Sequence, residues 1–184
     1  YKLNISSFME DNNKIKNFET KKQSKVYLSK IYSEERRPKS DYPFKLTNFI
    51  HKKILNNNTK KLKFLDVGCG RGDILKEFSK INNFDCYGLD LSRESVEYCK
   101  PIIVDQVNLE DENFNYNQKE FDIIFSKSLI EHLKNPLTFM ESCNKLLKKN
   151  GLLVILTPSW YHNSFGPFYL DHTHQTPFTL QSLK

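Results

Sequence analysis

The stretch Lys63–Asp73 constrains the fold of this chain more than any other part of the sequence. An apolar segment with β propensity ends in an acid at Asp66, and a helical apolar pattern begins at Ile74. Between them, glycines occupy alternate positions: Gly68, Gly70 and Gly72. This pattern predicts a strand, a tight turn and a helix. Glycines without a Cβ let the backbone turn sharply and let a ligand approach closely, and the first amides of the helix point at that ligand.

Two common nucleotide-binding motifs do not fit this spacing. The dinucleotide fingerprint G-x-G-x-x-G/A requires a small residue where this chain has Asp73. A phosphate-binding P-loop requires Gly-Lys-Ser/Thr, which does not follow Gly72. The order acid-x-Gly-x-Gly-x-Gly instead resembles motif I of the class I S-adenosylmethionine (SAM) methyltransferases, in particular those that act on small molecules. The alternative is a glycine-rich turn that binds no ligand.

The resemblance implies SAM as the cofactor and S-adenosylhomocysteine (SAH) as the product. It also implies that the motif I residues contact the cofactor: Asp66, Gly68, Cys69, Gly70 and Gly72.

A second strand, Cys86–Asp90, also ends in an acid. A carboxylate at the end of the strand that follows a βα unit can accept both hydroxyl hydrogens of a ribose. The resemblance to motif II of the family strengthens this role for Asp90 and adds Leu91 as a neighbouring cofactor contact. The alternative is that Asp90 only leads into the next helix, although Ser92 is the better N-cap.

A third strand is predicted over Ile102–Asp105. Family members usually place a polar residue after this strand, against the adenine amino group, and an apolar residue against the ring. The spacing assigns these positions to Asn108 and Leu109, with Asp105 as the other candidate for the polar contact.

A fourth strand, Phe121–Ser126, leads into Lys127 and then Glu131-His132-Leu133. This segment resembles motif IV of many small-molecule methyltransferases. Because the carboxyl ends of parallel strands face the ligand crevice, we expect Ser126 and Lys127 to line the methionine side of the cofactor. The resemblance implies that His132 lies near the transferred methyl group; the alternative is a capping or packing histidine.

The remaining pattern predicts the fold class. Asn135-Pro136 begins a helix that Lys148-Lys149 and Gly151 end, and Leu152–Pro158 reads as a fully buried strand. Strands that alternate with helices predict an α/β, Rossmann-like, doubly wound parallel sheet with helices on both faces. The family adds a further helix and two antiparallel strands, so we expect this chain to lack the carboxyl-terminal part of the domain.

Three histidines are candidate catalytic bases: His132, His172 and His174. Methyl transfer from a sulfonium is an in-line displacement that depends mainly on alignment. A hydroxyl acceptor must also lose its proton, and histidine is the usual base near neutral pH. The sequence does not rank the three.

Two other functions use the same residues. The HEN-type RNA 2′-O-methyltransferases hold a divalent metal with E-x-x-E-H and a later His, whereas this chain has Ser128 in place of the first Glu. Losing a carboxylate weakens a site for a hard cation, so our preferred interpretation assigns no metal. The chain could also bind SAM without catalysis, as a sensor or a degenerate enzyme.

Residues 1–61 are predicted as an amino-terminal helical extension, and residues 62–184 as the SAM-binding domain. Residues 1–25 are predicted to form a loose helix or to be partly disordered, and two helical patterns follow, at Val26–Tyr32 and Phe44–Ile54. The resemblance implies that such helices cover the cofactor and shape the acceptor pocket.

Charge and composition limit the kinds of partner that this chain can have. Residues 1–63 carry sixteen Lys and Arg against six Asp and Glu, which suits either an RNA partner or simply solvated helices. We favour solvated helices and a small-molecule acceptor, with RNA as the alternative. The longest apolar run, Leu152–Leu156, is too short to span a membrane. Four scattered cysteines without a C-x-x-C pair suggest a reducing, cytoplasmic location.

Overall fold

The computed structural model describes residues 38–56, 59–108, 110, 116, 120–164 and 166–183. The predicted segments at 1–25 and Val26–Tyr32 lie outside these residues, as does Leu109. None of the helices in this part of the chain has the length and apolar character that crossing a bilayer requires.

A parallel sheet forms the centre of the described structure. Its strands are β1 (Leu62–Val67), β2 (Phe84–Asp90), β3 (Ile103–Gln106), β4 (Phe121–Lys127) and β5 (Leu147–Leu156). They lie in the order β3-β2-β1-β4-β5, and every neighbouring pair is parallel. The chain therefore winds outwards in both directions from β1, and the carboxyl ends of β1 and β4 border the crevice where such sheets bind ligands.

Short helices precede, connect and follow the strands. They are α1 (Tyr42–Phe49), which continues as a π-helix over Ile50–Ile54, α2 (Asp73–Ser79), α3 (Arg93–Tyr98), α4 (Pro136–Leu146) and α5 (Trp160–Asn163), with 3₁₀ turns at Ile130–His132 and Pro167–Leu170. The predicted N-caps are confirmed. The Ser92 side chain accepts a hydrogen bond from the Glu94 amide, and the Asn135 side chain accepts one from the Thr138 amide.

Each face of the sheet carries its own apolar core. On one face the Phe64 ring stacks on Phe78 of α2, with ring centroids 4.1 Å apart. On the other face Leu65 and Val67 pack in a cluster with Phe139 of α4. Alternate residues of β1 therefore point to opposite cores. The predicted α/β, doubly wound sheet with helices on both faces is confirmed.

The boundary between α4 and β5 differs from the prediction. Helix α4 ends at Leu146, and β5 begins at Leu147, so Lys148 and Lys149 lie in the strand rather than in a last helical turn. Leu147 pairs with Phe121 before a register irregularity, and Lys148 donates from Nζ to the Asp122 carboxylate. The predicted full burial of this strand is also wrong, because β5 is the outermost strand of the described sheet and its side chains are mostly half-buried.

The apolar stripe of α1 is narrower than the sequence predicts. Leu46 packs against the core and Ile50 is buried in it, while Phe44, Phe49 and Ile54 are exposed. Residues 46, 47 and 50 lie within about 100° of one another around a helix. Phe44 and Phe49 lie outside that stripe, whereas Ile54 falls on the same side as the stripe and is exposed at the end of the π-helical segment.

Asp122 joins three strands at the amino-terminal edge of the sheet. Its Oδ2 accepts hydrogen bonds of 2.8 Å from the Lys63 amide of β1 and from Lys148 Nζ of β5. Burial alone would raise the pKa of Asp122, but the hydrogen bonds from Lys148 and Lys63 outweigh it and lower that pKa below its ordinary value. The ionised form is therefore favoured by folding.

Replacing Asp122 with Asn should lower the free energy of unfolding by about 1 kcal/mol at neutral pH, a modest loss because Lys148 is partly exposed. Since the pKa is lowered on folding, this contribution is present above the unfolded pKa of about 4 and is lost as the pH falls through the folded pKa. Urea unfolding from pH 7 to pH 2.5 should show the difference from wild type shrinking in acid. Asp85→Asn, which removes an exposed partner of Lys61, is the control; an equal effect in both variants at all pH values would contradict this assignment.

Candidate active site

The glycine turn has the geometry that its sequence predicts. Gly68, Gly70 and Gly72 have φ angles of 74°, 54° and 72°, in the left-handed region that favours glycine. The amides of Gly68 and Cys69 both donate to the Leu89 carbonyl, at 2.7 and 3.2 Å, which ties the turn to the end of β2. The turn therefore opens at the carboxyl end of β1, on the crevice side of the sheet.

The Asp90 side chain holds this turn in place through hydrogen bonds. Its Oδ2 accepts from the Gly70 amide at 2.8 Å, and its Oδ1 accepts from the Ser92 amide at 2.8 Å. The carboxylate thus holds the middle of the turn and the start of α3 together. Each carboxylate oxygen has a second lone pair, so the same side chain keeps the capacity to accept from a ribose.

Two polar side chains lie beneath the crevice. Asp66 is buried at the end of β1, and burial raises its pKa well above the ordinary value, with the charges of Cys99 and Asp90 adding to the effect. Ser126 is buried near the end of β4, and its hydroxyl has no hydrogen-bond partner among the described residues. Two buried polar side chains, one of them a hydroxyl without a partner, and a turn in which three of five residues lack a Cβ fit a polar ligand such as SAM.

The predicted adenine contacts lie at the end of β3, where the Val107 amide donates to the Asp90 carbonyl at 2.8 Å. Asn108 is exposed, and its Oδ1 accepts from the Glu110 amide. Asp105, the other candidate, accepts from the Tyr116 hydroxyl at 2.7 Å. Leu91 is half-buried directly after β2. The adenine assignment therefore stays a prediction.

Lys127 links the sheet to the amino-terminal helix. Its ammonium lies 5.6 Å from the centroid of the Tyr42 ring, at the start of α1, and 3.5 Å from the Ser128 hydroxyl. A lysine over an aromatic face is a favourable cation–π contact. Helix α1 therefore reaches the end of β4, where Lys127 was predicted to line the crevice.

Two of the three predicted histidines come together. The rings of His132 and His174 lie 4.6 Å apart between centroids, next to Glu131. Leu129, just before them, would meet a Cβ at Gly68 at 3.1 Å, so the segment that carries His132 starts against the glycine turn. His172 is exposed and lies outside this cluster.

The His cluster is built on a buried carboxylate. Glu131 is 0% exposed; its Oε2 accepts from the Thr157 hydroxyl at 2.9 Å, and its Oε1 has no hydrogen-bond partner among the described residues. Burial raises the pKa of Glu131, and burial together with the neighbouring His174 lowers the pKa of His132. A neutral imidazole is the form that can accept a proton.

The same three residues could hold a cation. One ligating atom from each of Glu131, His132 and His174 lies within 4.8 Å of the other two. Ser128 stands where the HEN-type pattern has its first Glu, and it offers no carboxylate to such a site.

Sequence reasoning missed the hydroxyls that support this cluster. Thr157 follows β5 and bonds to Glu131, while Thr173 lies 2.8 Å from His132 Nδ1. Thr157 could have been predicted as a site residue, because it follows the carboxyl end of a strand in a parallel sheet. Thr173 had none, because only the folded chain brings it to His132.

Comparison with known proteins identifies the family. A family profile described as "Methyltransferase domain" matches residues 34–184. The chain belongs to this family. The match confirms the predicted class I methyltransferase family. It begins within the segment predicted as an extension, so the predicted boundary at residue 61 stays a prediction.

Curated relatives carry a more specific name. The chain is 32% identical over 121 residues to a "Ubiquinone biosynthesis O-methyltransferase" of Haemophilus ducreyi, covering 60% of this chain and 50% of that protein. It is 31% identical over 135 residues to the protein of that name from Glaesserella parasuis, covering 65% and 57%. The chain therefore spans about half the length of the curated relatives it matches.

Solved structures support the fold. A SAM-dependent methyltransferase from Archaeoglobus fulgidus superposes with a TM-score of 0.64 at 22% identity, covering 83% of this chain and 69% of that one. The plantazolicin methyltransferase BpumL, solved with a pentazolic desmethylPZN analog and SAH, superposes with a TM-score of 0.62 at 22% identity, covering 93% of this chain and 74% of that one. The fold is that of class I methyltransferases.

Replacing Gly72 with Ala should damage the turn, because a Cβ there would lie 2.4 Å from the buried Cys99 Sγ and the φ angle of 72° is strained for alanine. We expect a loss of about 1–3 kcal/mol in the free energy of unfolding and roughly tenfold weaker SAH binding by calorimetry. Gly166→Ala is the matched control, since its φ is also positive but, apart from its chain neighbours, no described residue has an atom within 4 Å of an added Cβ. Unchanged SAH affinity in Gly72→Ala would contradict the role of the turn.

Proposed function

We propose that this chain transfers the methyl group of SAM to a hydroxyl of a small aromatic molecule. SAM, the cofactor that the sequence predicts, is the methyl donor of this family, and when bound it supplies an electrophilic methyl group. The observation that carries the hydroxyl acceptor is the paired His132 and His174 beside buried Glu131, close to the glycine turn through Leu129.

The binding residues divide into two groups. The glycine turn, whose backbone lets a ligand approach closely, and the Asp90 carboxylate would hold the adenosyl part, and the buried Ser126 hydroxyl would take a polar group at the end of β4. Alignment of donor and acceptor supplies the largest share of the rate enhancement in such a displacement.

The acceptor proton is the second requirement. We assign its removal to His132, whose Nδ1 contacts Thr173 and whose Nε2 faces Glu131 Oε1 at 4.0 Å. Aromatic rings border the same place, with Phe168 4.6 Å from the His174 ring and 5.7 Å from Trp160 between centroids. These rings and the names of the relatives support an aromatic hydroxyl acceptor.

A methyl-transfer assay with isotopically labelled SAM tests this function on catechol-type hydroxyls. His132→Ala should reduce kcat by about a hundredfold or more, the usual contribution of a general base, while SAH affinity stays within twofold of wild type. His162→Ala is the control, because His162 is exposed and contacts only the Ser159 hydroxyl among the partners found for its ring.

Three outcomes would contradict the proposal. Label in RNA but in no small hydroxyl compound would favour the RNA alternative. SAH binding without transfer to any acceptor would favour a non-catalytic domain. Full activity in His132→Ala would remove the histidine from the mechanism.

A second candidate mechanism uses a divalent cation at Glu131, His132 and His174, which the clustering of their ligating atoms within 4.8 Å favours. Two imidazoles and one carboxylate suit Mn²⁺, Fe²⁺ or Zn²⁺ better than Mg²⁺. Thermal unfolding with excess Mn²⁺ or Zn²⁺ should then show stabilisation of about 2.7 kcal/mol at a hundred times Kd, absent in Glu131→Gln. An equal response in that variant, or none in wild type, would leave the metal-free mechanism.

A further inference from the structure

The His132 ring is the first of three side chains that are joined by hydrogen bonds. His132 Nδ1 lies 2.8 Å from Thr173 Oγ1, and Thr173 Oγ1 lies 2.5 Å from Asp171 Oδ1. The Thr173 amide donates to the same Asp171 oxygen at 3.0 Å. The carboxylate therefore holds both the hydroxyl and the backbone of Thr173.

The direction of these hydrogen bonds follows from what each group can donate. An ionised carboxylate only accepts, so the single Thr173 hydroxyl hydrogen points to Asp171. The Thr173 oxygen then faces His132 with a lone pair, and His132 Nδ1 must carry the hydrogen of that contact. The reverse arrangement would set oxygen lone pairs against each other at 2.5 Å.

The segment that carries the hydroxyl is fixed on the histidine's own backbone. The amides of Gln175 and Thr176 donate to the Glu131 carbonyl at 2.7 and 3.2 Å, and Gln175 Nε2 donates to the His132 carbonyl at 3.1 Å. The His132 side chain is 17% exposed. The hydrogen-bonded chain from Asp171 through Thr173 to His132, called the relay below, is therefore ordered before any ligand binds. Little of the imidazole is exposed to water.

We propose that Thr173, oriented by Asp171, is a positioning residue that fixes His132 as the Nδ1–H tautomer and leaves Nε2 as its reactive atom. In this tautomer the imidazole lone pair lies on the side that faces Glu131. Its catalytic consequence rests on the proposed function, whereas the tautomer itself does not. The same orientation presents Nε2 to an acceptor proton or to a cation.

The test compares Thr173→Val, which removes the hydroxyl at similar volume, with Thr173→Ser, which keeps it. Thr176→Val is the matched control, since the hydrogen bond found for Thr176 uses its amide. Long-range ¹H–¹⁵N NMR of His132 should show the Nδ1–H tautomer in wild type, Thr173→Ser and Thr176→Val. In Thr173→Val we expect a tautomer mixture and a kcat lower by about tenfold to a hundredfold, with acceptor KM and SAH affinity within twofold.

The outcomes separate the two proposals. An Nε2–H tautomer in wild type, or an unchanged tautomer and kcat in Thr173→Val, would overturn the relay even if wild type methylates hydroxyls. Absence of methyl transfer in wild type would overturn the proposed function, while the NMR signal would still decide the relay. If Thr173→Val does not fold, Asp171→Asn takes its place: a tautomer mixture there supports the relay, and the wild-type tautomer there overturns it.

Discussion

The hydrogen bond from the Gly70 amide to the Asp90 carboxylate is the constraint on which the rest of the site depends. It joins the turn after β1 to the end of β2, and the second Asp90 oxygen binds the Ser92 amide that begins α3. One charge thus orders a glycine-rich segment that would otherwise cost backbone entropy to fix. Because the turn is already ordered, a ligand that binds there need not supply that free energy.

The parts of the fold that sequence could predict are those fixed by local chemistry. The glycine spacing, the Ser92 cap and the Asn135 cap each depend on residues within a few positions of one another, and all three are found. The start of β5 at Leu147 was not predictable in this way. It depends on pairing with Phe121 and on the bond from Lys148 to Asp122, which are tertiary contacts.

The candidate site also has one part that local sequence predicts and one part that only tertiary contacts bring together. The cofactor side follows from one contiguous motif and the acid of the next strand, so its residues could be named from the sequence. The His cluster joins His132 to His174, and its relay passes through Thr173; the chain between them includes α4, β5 and α5. Sequence could nominate three histidines, but only the fold separates His172, which is exposed, from the pair beside Glu131.

A crystal structure of the protein with bound SAH tests the central claim most directly. The account predicts the adenosyl group against the turn at residues 68–72, with at least one ribose hydroxyl within hydrogen-bond distance of the Asp90 carboxylate and the homocysteine end towards Ser126. It also predicts that the Gly70 amide keeps its bond to Asp90. SAH bound elsewhere, or a ribose that makes no contact with Asp90, would contradict it.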